Sequence, residues 1–210
     1  MFAGHYTSAF VAKSASPRTP LWILLVAAQF VDFLWVFAIL SGVEQARLDA
    51  SLASNPLVLS YMPWTHSLVA SLVWSAVAFL LARRLLALAT GESVLVAAVV
   101  LSHWFLDLVV HRPDLTIAGG DYKLGFALWN HPIAAWLLEV ALVIASIAMA
   151  MRAATSDASQ RRRWLWLGGA LVVLQTATSF GPLPASITAL GVSTLTIYVA
   201  VAYAGYRVEA

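Results

Sequence analysis

Six long apolar runs, separated by short polar segments, limit most strongly how this chain can fold. Of its 210 residues, 61% are hydrophobic and 10% are charged, whereas soluble domains carry about 25% charged residues. A helix of about 20 apolar residues crosses the hydrocarbon layer of a membrane. The runs lie near residues 21–43, 64–82, 94–111, 133–151, 164–180 and 185–206. We therefore predict an all-α fold: a polytopic membrane helix bundle with about six transmembrane helices and a short N-terminal helix, forming one domain over residues 1–210.

Basic residues are distributed unevenly between the predicted loops. If the N-terminus is inside, nine of the 12 lysines and arginines lie on inner segments and three lie on outer loops. Cytoplasmic loops of membrane proteins carry such an excess of Lys and Arg. The count therefore predicts that both termini are cytoplasmic.

Two function classes are excluded by composition. The sequence contains no cysteine, so disulfides, thiolate zinc sites, iron–sulfur clusters and cysteine nucleophiles are ruled out, and imidazole and carboxylate groups would have to hold any metal. The basic residues fall at the ends of apolar runs and form no stripe interleaved with aromatic side chains. We therefore expect no nucleic-acid binding.

Several ionisable side chains lie within the apolar runs, where each costs at least ~2.5 kcal/mol near the middle of the membrane. Counted at about 1.5 Å per residue from the inner end of each run, they share the outer half of the bilayer. This common depth predicts a polar cavity that opens toward the outer face. The residues are Asp32, His66, His103, Asp107, His111 and Glu139.

The spacing of His103, Asp107 and His111 places three potential metal ligands on one helix face. Each step of four residues covers about 6 Å along the axis, so the two histidines are about 12 Å apart. One ion cannot bind all three. Either His111 is not a direct ligand, or Asp107 lies between two metals, each with a histidine beside it.

Each residue also has a purely structural interpretation. Asp32 could pair with a buried arginine or a tryptophan N–H, and His66 could mark the interfacial start of a helix. His111 could belong to a solvated corner in which Arg112 pairs with Asp114. For Glu139 the two interpretations have about equal weight. The metal interpretation depends on the combination of these residues.

Four short motifs occur in order along the chain: Gly4-His5, Asp32, Thr65-His66-Ser67 and Ser102-His103-x-x-x-Asp107. Together they resemble the bacterial inner-membrane metal-dependent hydrolases, which are distantly similar to zinc phospholipases C. The resemblance covers about the first two-thirds of the chain. It implies a multi-pass protein of the bacterial inner (cytoplasmic) membrane with a divalent metal, zinc by first expectation and manganese or iron as alternatives. The metal ligands implied by the resemblance are His5, Asp32, His66, His103 and Asp107.

His5 conflicts with the predicted topology, because the loop charges place it on the cytoplasmic side while the other candidate ligands lie in the outer half. It can reach them if residues 2–12 fold into the bundle as a short re-entrant helix, which is allowed only where protein buries the backbone. Otherwise His5 is not a ligand.

The leading functional prediction is a membrane-embedded hydrolase in which metal-activated water attacks a phosphoester or acyl group of a membrane lipid. Glu139 is the candidate general base or a further ligand, and Arg112 would neutralise a phosphate or carboxylate. One alternative is a small ion or proton translocator, whose buried His and Asp residues relay charge. Another is a non-catalytic subunit that binds partners within a membrane complex.

Overall fold

The computed structural model describes residues 1–52 and 54–210. The chain is mostly helical, as the sequence predicts, with a small β-hairpin that the sequence did not predict. Short 3-10 turns occupy Ala3–His5 and Leu128–Asn130. The helices are α1 (Tyr6–Ala15), α2 (Leu21–Ala28), α3 (Phe30–Leu40), α4 (Leu68–Arg84), α5 (Thr90–Val110), α6 (Pro132–Ala154), α7 (Ala158–Phe180) and α8 (Ile187–Glu209). The hairpin pairs β1 (Gln45–Leu48) with β2 (Leu57–Tyr61) in antiparallel fashion.

Three helices, α5, α6 and α8, are long and apolar enough to cross a membrane, and α2 with α3 makes a fourth if that bent pair counts as one span. Their lengths and composition are those of membrane spans, and among the described residues this measure does not confirm six spans. Helix α4 has 17 residues, which corresponds to about 25 Å. Helix α7 begins close to three consecutive arginines at 161–163, so its apolar stretch is shorter than the helix.

The predicted first span, 21–43, is two helices rather than one. A break at Gln29 bends α2 against α3 by 47°. The Gln29 side chain is buried, and its Nε2 donates to the carbonyl of Phe2 at 3.1 Å. The Ala28 carbonyl beside the break accepts a hydrogen bond from His103 Nδ1 at 2.9 Å. His103 thus satisfies one backbone carbonyl at the break, as membrane helices require, while Gln29 ties the break to the N-terminal segment.

Helix α1 is the short N-terminal helix, and it packs inside the bundle against α2, α5 and α6. Tyr6, Ala9 and Phe10 are buried in the main hydrophobic core. The terminal amine of Met1 lies buried against Asp107. The sequence analysis allowed residues 2–12 to fold into the bundle, and the structure places Met1 in the interior because residues 1–15 fold back between the longer helices. The predicted cytoplasmic side of the termini stays a prediction.

Arginines collect at one end of the bundle. Arg83 and Arg84 end α4, Arg152 lies in the last turn of α6, and Arg207 lies in the last turn of α8. The three arginines at 161–163 lie near the start of α7. The candidate ligands lie toward the other ends of these helices, where α5 finishes and α8 begins.

The segment between α5 and α6 folds back over the end of α5. Phe126 donates its backbone N–H to the Leu108 carbonyl at 2.8 Å, and Ala127 donates to the His111 carbonyl at 2.7 Å. Gly125 has a positive φ of 155°, and a Cβ there would collide with the His111 and Arg112 carbonyls. Glycine at this position therefore allows the loop to close the end of the bundle above the candidate site.

Candidate metal centre

Asp107 of α5 lies at the centre of a buried cluster of four histidines. One carboxylate oxygen, Oδ1, lies 3.0 Å from His5 Nε2 and 3.3 Å from His111 Nε2. The other oxygen, Oδ2, lies 3.2 Å from His103 Nε2 and 3.6 Å from His66 Nε2. All five side chains are buried. The 3-10 turn, the start of α4 and the end of α5 therefore bring imidazole groups to one carboxylate.

Asp32 of α3 supplies a second carboxylate to the same cluster. Its Oδ1 lies 3.3 Å from His66 Nε2 and 3.5 Å from His103 Nε2. Its Oδ2 accepts a hydrogen bond from the Tyr198 hydroxyl at 2.7 Å and lies 4.0 Å from His5 Nδ1. The structural alternative for Asp32, pairing with an arginine or tryptophan, does not describe these contacts.

Two overlapping groups of residues have the geometry to hold a metal ion. One comprises His5, His103 and Asp107, and the other comprises Asp32, His66 and His103. Within each group, one potential ligand atom per residue lies within 4.8 Å of the others. Because His103 belongs to both groups, the groups describe overlapping positions for an ion. His111 belongs to neither, although its Nε2 contacts Asp107.

The donor atoms are spaced as ligands of one ion would be. In tetrahedral zinc sites with bonds of about 2.0–2.1 Å, neighbouring ligand atoms lie about 3.4 Å apart. His103 Nε2 lies 3.2 Å from an oxygen of Asp107 and 3.5 Å from an oxygen of Asp32. This close approach of a ring nitrogen to two carboxylates suits a shared cation.

Three atoms of the cluster are buried without a hydrogen-bond partner: His5 Nδ1, His103 Nε2 and Asp107 Oδ2. Most buried side-chain polar atoms in native proteins have at least one partner, so each exception requires an explanation. The unpaired atoms belong to residue types that bind divalent ions. The residues present therefore fit the metal that the sequence motifs imply.

Hydrogen bonds at the far side of the rings orient two of the histidines. His103 Nδ1 lies 2.9 Å from the Ala28 carbonyl, which requires this nitrogen to be the N–H donor. His111 Nδ1 lies 2.8 Å from a carboxylate oxygen of Asp114. In both rings Nε2 is directed toward Asp107. Metal-binding histidines typically donate their other ring N–H to a carbonyl or carboxylate in this way.

A buried chain through Thr65 and Glu44 orients His66. The Thr65 hydroxyl lies 2.8 Å from His66 Nδ1 and donates to Glu44 at 2.6 Å. Glu44 also accepts the backbone N–H groups of Trp64 and Thr65 at 2.8 and 2.9 Å. Because the hydroxyl proton goes to Glu44, its oxygen accepts the His66 Nδ1–H, which leaves Nε2 for the cluster. Sequence analysis missed Glu44, because it did not predict the β1–β2 hairpin that brings Glu44 next to Thr65.

Replacing Thr65 by valine is expected to lower metal affinity about 10- to 100-fold, because partners that orient metal-binding histidines typically contribute that much. Titration of the metal-free protein with Zn²⁺ measures the change. Thr196→Val is the matched control, since Thr196 is exposed on α8 and its hydroxyl donates to the Val192 carbonyl of its own helix. Equal affinities of Thr65→Val and wild type would contradict the orienting role.

Glu139 contacts the N-terminal segment rather than the histidines. Its Oε2 accepts the backbone N–H groups of Phe2 and Gly4 at 2.9 and 3.0 Å. Gln175 of α7 accepts the N–H of Ala3 at 3.0 Å. These buried side chains anchor the turn that carries His5. The role of general base or ligand for Glu139 stays a prediction, and the contacts of Oε2 are those of an anchor.

Arg112 lies beside the cluster and is held by asparagines. Its Nε donates to Asn130 at 2.9 Å, and its Nη1 donates to the Asn55 carbonyl at 3.1 Å. Among the described ion pairs, Asp114 is joined to His111 and not to Arg112. Partial burial lowers the pKa of the Arg112 guanidinium, and Asp114 opposes that shift. The predicted binding of a substrate anion by Arg112 stays a prediction.

A cavity of about 280 Å³ opens onto the cluster. Asp32, His66, Asp107 and His111 line it, together with apolar residues from β2, α7 and α8. The cavity thus combines a polar, potentially metal-binding region with mainly apolar walls, which is the usual composition of small-molecule sites.

No protein family, characterised protein or solved structure matches this chain. The resemblance to inner-membrane metal-dependent hydrolases therefore depends on the four motifs, and the candidate site depends on its geometry.

Proposed function

We propose that the chain is a membrane-embedded metal-dependent hydrolase. The observation that carries the proposal is the convergence of four histidines on Asp107 and Asp32, with unpaired buried donor atoms, at a cavity with apolar walls. The proposed metal ligands are His5, Asp32, His66, His103 and Asp107, and His111 would bind a second ion that shares Asp107.

Zinc is the ion that we expect, with manganese or iron as alternatives, because the donors are imidazole and carboxylate groups. When bound, the ion would act as a Lewis acid on an ester oxygen and lower the pKa of water so that hydroxide forms near neutral pH. The chain would hold His66, His103 and His111 in fixed orientations through Thr65, Ala28 and Asp114. Tyr198 would restrict Asp32 by binding one of its oxygens.

A phosphoester or acyl group of a lipid is the proposed substrate class. The cavity walls include Trp35, Leu57 and Leu59, which favour an apolar substrate, whereas the ester would lie at the carboxylates and histidines. Burial among these walls would also exclude bulk water. The arginine-rich end of the bundle favours an orientation with the cluster in the outer half of a bacterial inner membrane.

The ion-translocator alternative needs a polar path from the cluster to the arginine-rich end. The side chains packed between them include Phe10, Leu24, Val100 and Trp164, which are buried in the hydrophobic core. This packing favours the hydrolase, since charge relay through a membrane protein uses ionisable groups or water. Proton flux in vesicles containing the purified protein would support the alternative.

Detergent-purified protein is expected to hold at least one equivalent of Zn²⁺, Mn²⁺ or Fe²⁺ per chain, measured by elemental analysis. It should also hydrolyse a fluorogenic phospholipid or a fluorogenic acyl ester in mixed micelles. Chelation should abolish hydrolysis, and the metal should restore it. Protein without stoichiometric metal would contradict the proposal and favour a non-catalytic subunit of a membrane complex.

A further inference from the structure

Helices α7 and α8 border a second cavity beside the cavity at the cluster. This α7–α8 groove has a volume of about 520 Å³, and Leu174 and Ile197 line both cavities. It runs from these two residues past Leu171 and Ala200 toward Arg207. Its volume lies within the range of ligand pockets, about 300–1,000 Å³.

We propose that the α7–α8 groove binds one acyl chain of a membrane lipid, with the ester of that lipid at the Asp32–Asp107 cluster. The inference rests on the proposed function and adds where the substrate lies and which part of it is recognised. Between its ends the groove is lined by apolar side chains. They include Ala170, Leu171, Leu174, Ile197, Ala200 and Ala204.

Small residues create the space that the acyl chain would occupy. Ala170 on α7 faces the groove together with Ala200 and Ala204 on α8. A leucine at any of these positions would extend into that space, whereas alanine leaves the two helices separated by a channel. A saturated acyl chain has no hydrogen-bonding group, so a protein can bind it only through contact with apolar surface.

The path from the cluster into the groove is long enough for an acyl chain. Residues 167–178 of α7 run from the middle of the groove to Thr178, which lines the cavity at the cluster. Eleven helical steps correspond to about 16 Å, and half of the hydrocarbon core measures about 15 Å. A chain with its ester at the cluster would therefore cross mid-membrane and end close to Arg163 and Arg207.

The position of the groove beside the cluster favours a lipid over a helix of another protein. A partner helix about 10 Å wide could cover the outside of the groove, but it is too wide to enter the cavity at the cluster. A flexible chain one methylene wide could enter both. The outward faces of α7 and α8 are apolar, with Val173 and Val199 more than half exposed, so the groove opens toward surface suited to lipid tails.

Photo-crosslinking tests the proposal directly. The probe is a phosphatidylglycerol with a diazirine at the end of one palmitoyl chain, present at low level in phosphatidylcholine nanodiscs that contain the full chain. Crosslinks are expected to concentrate on 167–174 of α7 and 197–204 of α8. Ala200→Trp should reduce this yield at least about five-fold by filling the groove, whereas Val199→Trp, on the exposed face of the same helix, should leave it unchanged.

Three results would overturn the proposal. Crosslinks could be spread evenly over the exposed faces of α5, α6, α7 and α8. They could be insensitive to Ala200→Trp, or a headgroup-labelled probe could react near Arg163 and Arg207 rather than near the cluster. The metal content of each variant is measured in parallel. Normal metal content with evenly spread crosslinks would contradict acyl-chain binding in the groove but not the proposed hydrolase. Crosslinks in the groove without bound metal would contradict the hydrolase and support a groove that binds lipid.

Discussion

Replacing Asp107 by asparagine is expected to lower metal affinity at least about 100-fold, so that purified protein retains almost no metal. The reason is the central position of this carboxylate, whose two oxygens face four imidazole rings. Asparagine keeps the shape of the side chain but removes the negative charge. Loss of a residue that only hydrogen-bonds to a metal ligand typically lowers metal affinity about 10–100-fold, so loss of a direct ligand should lower it more. Elemental analysis after size-exclusion chromatography measures the loss.

Asp121→Asn is the matched control for this variant, because Asp121 is exposed in the segment between α5 and α6. It should bind as much metal as wild type. Asp107→Ala should lose metal as well, since it removes both oxygens. Near-UV circular dichroism of the metal-free proteins reports whether each variant has folded. If folded Asp107→Asn held the wild-type amount of metal, the ligand assignment would be wrong.

Lys13→Met is expected to destabilise the bundle by about 2–4 kcal/mol. Lys13 lies at the end of α1, where its amine donates to the carbonyls of Pro17 and Thr19 at 2.7 and 2.8 Å and pairs with Glu209. Its side chain is 3% exposed, and that of Glu209 is 24% exposed. Removing one partner of a buried ion pair costs about 3–5 kcal/mol, and the partial exposure of Glu209 reduces that cost. Chemical unfolding in detergent measures the difference.

Lys123→Met is the control for Lys13→Met, since Lys123 makes no ion pair among the described residues and is only partly buried. A double variant, Lys13→Met with Glu209→Leu, should be more stable than Lys13→Met alone because it removes the unpaired carboxylate. Glu209 also accepts the Leu21 N–H at 2.7 Å, so recovery should be incomplete. Equal stability of Lys13→Met and Lys123→Met would contradict the structural role of the pair.

The parts of the cluster that could be predicted are those governed by helix periodicity. Four residues make about one turn, so His103 and Asp107 share a face, and counting along each apolar run placed Asp32 and His66 at a compatible depth. The structure brings all four together with His5. Apolar composition also predicted a helical membrane protein, because lipid requires every backbone polar group to be satisfied within the segment.

The remaining features depend on contacts between distant segments. Hydropathy averages over a window, so it could not separate α2 from α3 at Gln29. No periodicity relates Glu44 to Thr65, because a hairpin joins them. The insertion of α1 depends on anchors such as Gln175, whose bond to Ala3 spans 172 residues of sequence.

The central position of α1 has a consequence for assembly during synthesis. Residues 1–15 leave the ribosome before the rest of the chain, yet their anchors are Asp107, Glu139 and Gln175 on α5, α6 and α7. This segment can pack against α2 first, but its polar anchors form only after those three helices have been made. The histidine that it carries can join the other ligands only at the end, so completion of the cluster would coincide with closure of the bundle.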